Sequence, residues 1–381
     1  VKVRSVAAGT VRVSWPGTYD RDNATLTYQV FRGDTGNKIW EGTQTARFWE
    51  VQPMGVTDTG LAQGSSTQYL LRVRDSSGNQ VSSGWIPVTV GGSGSVGNYA
   101  NRVLEDGATK FWRLSETSGQ VIDWAGIDDT NPGSGVTRGT AGAMQDGSGN
   151  AATTFKGNAS SVTVSPSLVW GPQKFSVEAW FKTSSTGGIV NFGDKASGDT
   201  SKNDRYLYLD SSGKLTFGIY NGSAQVKLAG SGNMRDNQWH HAVGTFDEGK
   251  MALYLDGKRI GTNSSAGSAQ PYWGYWRVGG DRAWSGNKYF NGVIDDVAVY
   301  PRALTATEVD RHWTASGRAS NIPQTPADNY GASVYGSDPQ LYWRLGESSG
   351  TNAADSSVNG ANGTYIGTYT QNRPGAVSAN G

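Results

Sequence analysis

The 381-residue chain contains no cysteine, three histidines, four methionines and twelve prolines. Without cysteine it has no disulfide and no thiolate metal site. The imidazoles are His240, His241 and His312. The first two are neighbours on one expected strand, so they point to opposite faces and cannot share a metal ion. Formal net charge is +1, which leaves no basic excess for a nucleic-acid partner. No apolar run reaches 18 residues, so no helical span and no membrane insertion are expected. The opening Val1-Lys-Val-Arg-Ser5 has no signal-peptide pattern, and a processed chain or an excised piece would both begin this way.

What the chain has is glycine, 54 residues, together with 14 tryptophans and 17 tyrosines. A glycine-rich chain that keeps so many large aromatics reads as a turn-rich β protein rather than a disordered one. The clearest stretch runs from Phe175 to Tyr300. Phe175, Val177, Ala179 and Phe181 make one row of a period-two strand, with Ser176, Glu178, Trp180 and Lys182 opposite. Trp239–Phe246, Met251–Gly257 and Phe290–Tyr300 alternate in the same way. Asp-Gly and Asn-Gly pairs stand where turns need positive φ. The expectation is an all-β protein built from antiparallel sandwiches.

Residues 1–90 read as a small sandwich, with strands at Thr10–Trp15, Leu26–Phe31 and Thr67–Asp75. Trp15, Tyr28, Leu61 and Tyr69 fall where a fibronectin type III domain has its inner tryptophan, inner tyrosine, E–F leucine and corner tyrosine. The segment resembles that family, with a first strand that is short or missing. Asp20, Asp22 and Asn23 read as a solvated turn before they read as a cation site. Residues 91–97, rich in glycine and serine, form a flexible linker.

Residues 98–317 carry Trp112-Arg-Leu114, Glu116-Thr-Ser-Gly119, Phe175–Phe181, Trp239-His-His241, Leu253–Gly257 and Ile294–Tyr300, in that order. Together they resemble a laminin-G-like, concanavalin-A-like jelly roll. A closing helix is expected after Thr305, which with Glu308 forms a capping box, while Leu304 and Val309 form a hydrophobic staple. Gly317 suits its end. Residues 318–327 form a second linker. Then the pattern recurs: Asn329-Tyr330, Leu341–Gly350 and Asp355 echo Asn98-Tyr99, Phe111–Gly119 and Asp123, 231 residues on at the tryptophans. Residues 328–381 thus read as the N-terminal part of a second jelly roll. Such a part cannot bury its apolar face alone, so the expectation is a tandem array in a longer chain, or packing on another domain or chain.

No residue set reads as catalytic, and the expectation is a non-enzyme. Glu178 has no second carboxylate two or four positions away on its strand, where a glycosidase needs a pair. Asp295 reads as inward-facing, on a row with Val293, Val297 and Val299, and a buried carboxylate needs a partner. In jelly rolls of the resembled kind, such loops hold calcium through oxygen ligands. A structural calcium on Asp123 and Asp295, with Glu116 or Asp281, is one expectation, and a metal-free hydrogen-bonded Asp295 is the other. Aromatics crowd Pro271–Trp276, Trp284 and Tyr289. Sugar rings stack on exposed indoles and phenols, so Tyr272, Trp273, Trp284, Trp180 and Tyr254, with Glu178, are candidate lining of a glycan groove. The alternative is that these aromatics pack the sandwich. The family resemblance implies an extracellular array of a secreted bacterial protein that binds carbohydrate or cell-surface protein. Its rivals are a stalk or phage-tail spacer, or the accessory region of an enzyme whose catalytic domain lies elsewhere.

Overall fold

The computed structural model describes residues 1–33, 36–46, 51, 53–91, 97–282 and 284–376. Most of the 91–97 linker, residues 92–96, lies outside the described residues, as do 377–381 of the last segment.

The first unit holds β1 (Lys2–Ala7), β2 (Thr10–Trp15), β3 (Thr25–Arg32), β4 (Asn37–Thr45), β5 (Met54–Asp58), β6 (Ser66–Arg74), β7 (Gln80–Ser82) and β8 (Ile86–Thr89). A three-stranded sheet in the order β1-β2-β5 faces a five-stranded sheet ordered β4-β3-β6-β7, with β8 also on β6. Trp15, Tyr28 and Tyr69 are buried between the sheets, and the Tyr69 hydroxyl donates to Asp58 at 2.7 Å. The first strand is present in full, contrary to expectation. Its register against β2 runs from Lys2–Ser14 to Ala7–Thr10, a pairing that its polar Lys-Val-Arg-Ser sequence does not advertise. Asp20 accepts from the backbone of Asp22 and Asn23, which makes that cluster a turn.

The central unit begins with α1 (Asn98–Glu105), then β9 (Lys110–Trp112), β10 (Thr137–Ala141), β11 (Ala151–Lys156), β12 (Thr163–Val164) and β13 (Val169–Trp170). It continues through β14 (Lys174–Lys182), β15 (Gly187–Gly193), β16 (Asn203–Leu209), β17 (Leu215–Tyr220), β18 (Gln225–Ala229), β19 (His240–Asp247), β20 (Lys250–Leu255), β21 (Lys258–Asn263), β22 (Trp273–Val278), β23 (Asn291–Tyr300) and α2 (Ala306–Ala315). An eight-stranded sheet runs β10-β11-β23-β14-β19-β20-β21 with β9 on β23. A seven-stranded sheet runs β12-β22-β15-β16-β17-β18 with β13 on β22. Phe175, Val177, Ala179 and Phe181 meet Phe192, Leu207, Phe217 and Trp276 between the sheets, as their alternation requires.

The opposite row of β14 is buried too. Trp180, Val243, Tyr254, Ala298 and Tyr300 form a second core with Tyr99, Val103 and Leu104 of α1 and with Val309 and Trp313 of α2. The eight-stranded sheet therefore has no solvent face at its centre. Helix α2 starts as expected: Thr305 accepts from the Glu308 amide, Glu308 accepts from the Thr305 amide, and Leu304 and Val309 are buried beside it.

Strand β23 departs from strict alternation. Opposite Glu178–Trp180 it spends one extra residue, and Asp296 takes a left-handed φ of 44°. This bulge leaves Val297 and Val299 in the inter-sheet core as expected, replaces Val293 there by Ile294, and pairs Asp295 with Trp180 on the other face.

Residues 318–327 lie along the central unit. Arg318 stacks over Trp180 and Trp313, Trp313 donates to the Ala319 carbonyl, and Ile322 is buried. Beyond them are α3 (Asn329–Gly336), β24 (Asn352–Ala353) and β25 (Gly363–Thr364). This segment docks through Arg259, which bonds Asn359 and Asp338, and through buried Tyr335 and Val358.

Candidate ligand-binding cleft

Strand β13 has only two residues, and β22 gives it a partner: Val169 faces Gly274, and Trp170 faces Trp273. The two indoles meet edge to face at 5.5 Å and 68°. They remain 36% and 46% exposed, which is unusual for side chains this large in a domain otherwise so well filled. They form one wall of a cleft of about 520 Å³. Lys174 and Glu248 also line it, as do Val51 and Pro53 from the first unit.

The wall rests on a buried polar floor. Arg205, with a left-handed φ of 46°, donates to the Pro172 and Gln270 carbonyls at 3.0 and 3.2 Å and to Asp204. These carbonyls flank the two tryptophan strands. The Tyr272 hydroxyl donates to Asp204 at 2.7 Å and lies 2.9 Å from the Phe192 carbonyl. Burial raises the Asp204 carboxyl, and Arg205 and Tyr272 oppose that rise. A side chain at Gly171 would strike the Arg205 guanidinium at 2.7 Å, so glycine there lets the floor approach the strand. Gln173 closes one end by exchanging two hydrogen bonds with the Ala269 backbone.

Among the described residues, the cleft's lysines are paired. Lys174 lies within 3.4 Å of both Asp247 and Glu248, and buried Lys110 pairs with Asp128. Burial works against the Asp128 charge, but Lys110 and the Ser165 and Ser167 hydroxyls hold its carboxyl below the usual range.

Of the six residues anticipated at a ligand site, Trp273 is the one placed in this open cleft. Tyr272 is buried beneath it. Trp284 is half-buried on the outer face of the seven-stranded sheet, edge-on to Tyr206 and Tyr208, and bonded to Asn203. Trp180, Glu178 and Tyr254 lie in the second core. Trp180 stacks flat on Trp313 at 5.5 Å and 9° with Arg318 over both rings, so no face is left for a sugar. The reading of that row as groove lining is corrected: α1 and α2, distant in sequence, cover it.

Glu178 is the hub beneath those helices. Its Oε1 accepts from the Tyr99 hydroxyl at 2.7 Å and lies 2.6 Å from His241 Nε2. Its Oε2 accepts from Tyr300 at 2.7 Å, and His312 Nδ1 lies 3.0 Å from both oxygens. His312 Nε2 faces Asp106 at 3.0 Å. Burial alone would favour a neutral pair. Against it, His312 and His241 hold Glu178 well below the carboxylate range, and Glu178 with Asp106 raises His312 to about 9. All of these groups except Asp106 are fully enclosed, so the cluster fastens helices to a sheet and meets no substrate.

The four carboxylates anticipated as calcium ligands do not converge. Asp123 Oδ1 accepts from the amides of Phe111, Ala125 and Gly126, and its Oδ2 accepts from that of Asp128. Glu116 bonds the Ile122 amide and Arg138. Asp281 accepts from Asn191 and from the Thr200 and Arg282 amides, and it forms an ion pair with Arg277. Asp295 Oδ2 accepts from the Ala143 amide and Asn150, both at 2.7 Å, while its Oδ1 has no partner. Burial and neighbouring Asp296 push the Asp295 carboxyl well above its usual range. Three of the four thus have N–H donors on both oxygens, and among the described residues no three His, Asp or Glu side chains are placed to hold a metal. The set does not fit one shared calcium.

Trp170 was missed by sequence reasoning. A two-residue strand has no periodicity to read, and its partner lies a hundred residues away.

Residues 156–310 match the profile of a laminin-G-type family described as the Concanavalin A-like lectin/glucanases superfamily. No curated protein sequence matches the chain. Among solved structures it is similar to the heptameric SAP-like pentraxin from Limulus polyphemus, with 20% identity over 41% of this chain and 78% of that one, at a TM-score of 0.33. It is also similar to the CBM40 of the Ruminococcus gnavus IT-sialidase bound to α2,3 sialyllactose, with 19% identity over 36% and 82%, TM-score 0.31. The binding domain of Paraclostridial Mosquitocidal Protein 1 gives 15% identity over 58% and 55%, TM-score 0.43.

Proposed function

We propose that this chain, whose central unit is a concanavalin A-like jelly roll, is a non-catalytic binding module that takes a saccharide in the Trp170–Trp273 cleft. The observation that carries the reading is the exposed indole pair on a rigid, buried floor. Indoles held in place contact sugar C–H faces with little ordering cost on binding. Lys174 and Lys110 already have carboxylate partners, so no cation is spare for an acidic sugar among the described lining residues, and neutral pyranosides are the expected class. Among the described lining residues Glu248 is the one carboxylate, where glycoside hydrolysis uses two across the bond.

An extracellular, surface-attached setting in a modular protein fits this reading, with the first unit as a fibronectin-type-III-like neighbour. A glycan array screened with the full chain, with Trp273→Ala and with Trp284→Ala tests it. Binding to neutral glycans that Trp273→Ala abolishes and Trp284→Ala spares supports the cleft. Binding that ignores Trp273, or no binding at all, sinks it.

A second reading, a spacer without its own ligand, is favoured by one observation. The first unit is fixed to the loop at Ala125–Asp129: Lys2 donates to the Ile127 carbonyl, Arg12 to Ala125, Ser14 to Gly126, and Arg4 pairs with Asp129. Rigid joints suit a stalk. They also hold Val51 and Pro53 at the cleft, so the array result decides between the readings.

A further inference from the structure

Among the described residues Lys110 is the one buried lysine. It lies on β9, where its backbone faces Val299 of β23. Its Nζ donates to Oδ2 of Asp128, which is 2% exposed. Two hydroxyls complete that carboxylate: Ser165 donates to Oδ2 at 2.6 Å and Ser167 to Oδ1. The Asp128 backbone is fixed as well, since its amide donates to Asp123 and its carbonyl accepts from Trp112. An amine and a carboxyl are thus held in contact, out of water, by groups from three stretches of chain.

This pair differs from the other ion pairs. Buried Arg113, Arg205 and Arg277 also face aspartates, but a guanidinium keeps its proton and does not attack a carboxyl. Lys288 and Asp199 meet at 2.6 Å with both side chains half exposed, so water stabilises their charges. Nor does the local fold require Lys110. In the recurring motif Asp355 accepts from the Tyr342 amide and Trp343 donates to the Ala361 carbonyl, as Asp123 and Trp112 do in the first copy. There Leu341 stands in the lysine's place and Ala361 in the aspartate's. The motif closes without the pair.

We propose that Lys110 and Asp128 condense into an intramolecular isopeptide bond, a modification that the chain completes on itself. One proton moves from Nζ to Oδ2, which gives a neutral amine and a neutral acid. Burial penalises both charges, and this transfer removes them together. The Nζ lone pair attacks Cγ at the high effective concentration that fixed contact provides. Ser167 donates to Oδ1 as negative charge gathers there. Oδ2 then takes a second proton from the nitrogen, the Cγ–Oδ2 bond breaks, and water leaves. Ammonium and carboxylate become one amide and one water, with no oxidant or co-reactant. The cleft that Lys110 lines gives the water an exit. The bond would sit at the root of the loop whose Ala125, Gly126 and Ile127 carbonyls hold the first unit. In a chain without cysteine, it would tie that joint covalently to the central sheet.

The test is an intact-mass measurement on the full chain, purified folded and then denatured. The expected mass is that of the sequence less one water, with tandem spectra joining the peptides that hold Lys110 and Asp128. Lys110→Arg keeps the charge pair without the amine and should show the full sequence mass. Three results overturn the proposal. The first is a parent chain at full mass, which would leave an ordinary ion pair. The second is an equal loss of water in Lys110→Arg. The third is a loss that tandem spectra place at an Asp-Gly pair, where a succinimide forms instead. None of these outcomes depends on whether the cleft takes a saccharide.

Discussion

At the scale of single residues, the His312–Glu178 pair makes the sharpest demand. His312 is held at about 9 against an ordinary 6.5, so its contribution to stability is full below 6.5 and is lost as pH rises toward 9. Glu178 is held well below its ordinary value, so its contribution is present at neutral pH and is lost as acid protonates it. The melting temperature should fall from pH 6.5 to 9, and in His312→Asn that slope should flatten. An unchanged slope in the variant would contradict the pairing. Glu178→Gln removes the enclosed charge that faces His312 and turns one acceptor oxygen into an NH2 donor aimed at other donors, and it should cost about 3–5 kcal/mol in a denaturant melt. The sequence showed that Glu178 and Trp180 share a row, because period two is local information. It did not show that the row is covered, because the cover comes from Tyr99 and Trp313, far along the chain on either side. Asp295 was read as buried, and it is. Its facing was misread, because a bulge at Asp296 leaves no mark in a pattern of valines.

At the scale of elements, ends and edges decide more than interiors. Helix α2 seats His312 and Trp313 on the sheet, and its first turn is fixed by Thr305 and Glu308. Burial raises the Glu308 carboxyl, but Arg302 and the Thr305 amide and hydroxyl outweigh this and hold it at about 2. Thr305→Ala should lower stability by about 1 kcal/mol and speed amide exchange through α2 without disturbing the cleft. Protection unchanged from the parent would show that packing alone holds the helix. This capping box was legible because it is a four-residue signal with its own chemistry. The strand pair β13–β22 was not, because its pairing is long-range and only two residues deep. The landmarks of β14, β19, β20 and β23 stood out because long alternating runs carry their own period.

At the scale of the whole molecule, Asp123 links loop to interface. Its four amide contacts shape residues 123–128, and that loop presents the Ala125, Gly126 and Ile127 carbonyls to the first unit. Arg12 is buried at this contact, which lowers it to about 10 against the opposing pull of Asp123. Asp129 adds the pair with Arg4 and Lys2 and accepts the Asp123 amide. Asp129→Ala should free the first unit to swing, raising the radius of gyration in solution scattering while the central unit melts near the parent temperature. A scattering curve identical to the parent would mean that the remaining carbonyl contacts hold the joint. All-β architecture was legible from glycine, aromatics and alternation. The docking of units was not, since it depends on backbone carbonyls that carry no residue identity.

The two exposed indoles carry the proposed saccharide site. A calorimetric titration of the parent chain, Trp170→Ala and Trp273→Ala with a neutral oligosaccharide selected on the array tests it most directly. Each substitution is expected to weaken binding at least tenfold while the melting temperature stays near that of the parent. Equal affinity in all three chains would contradict it.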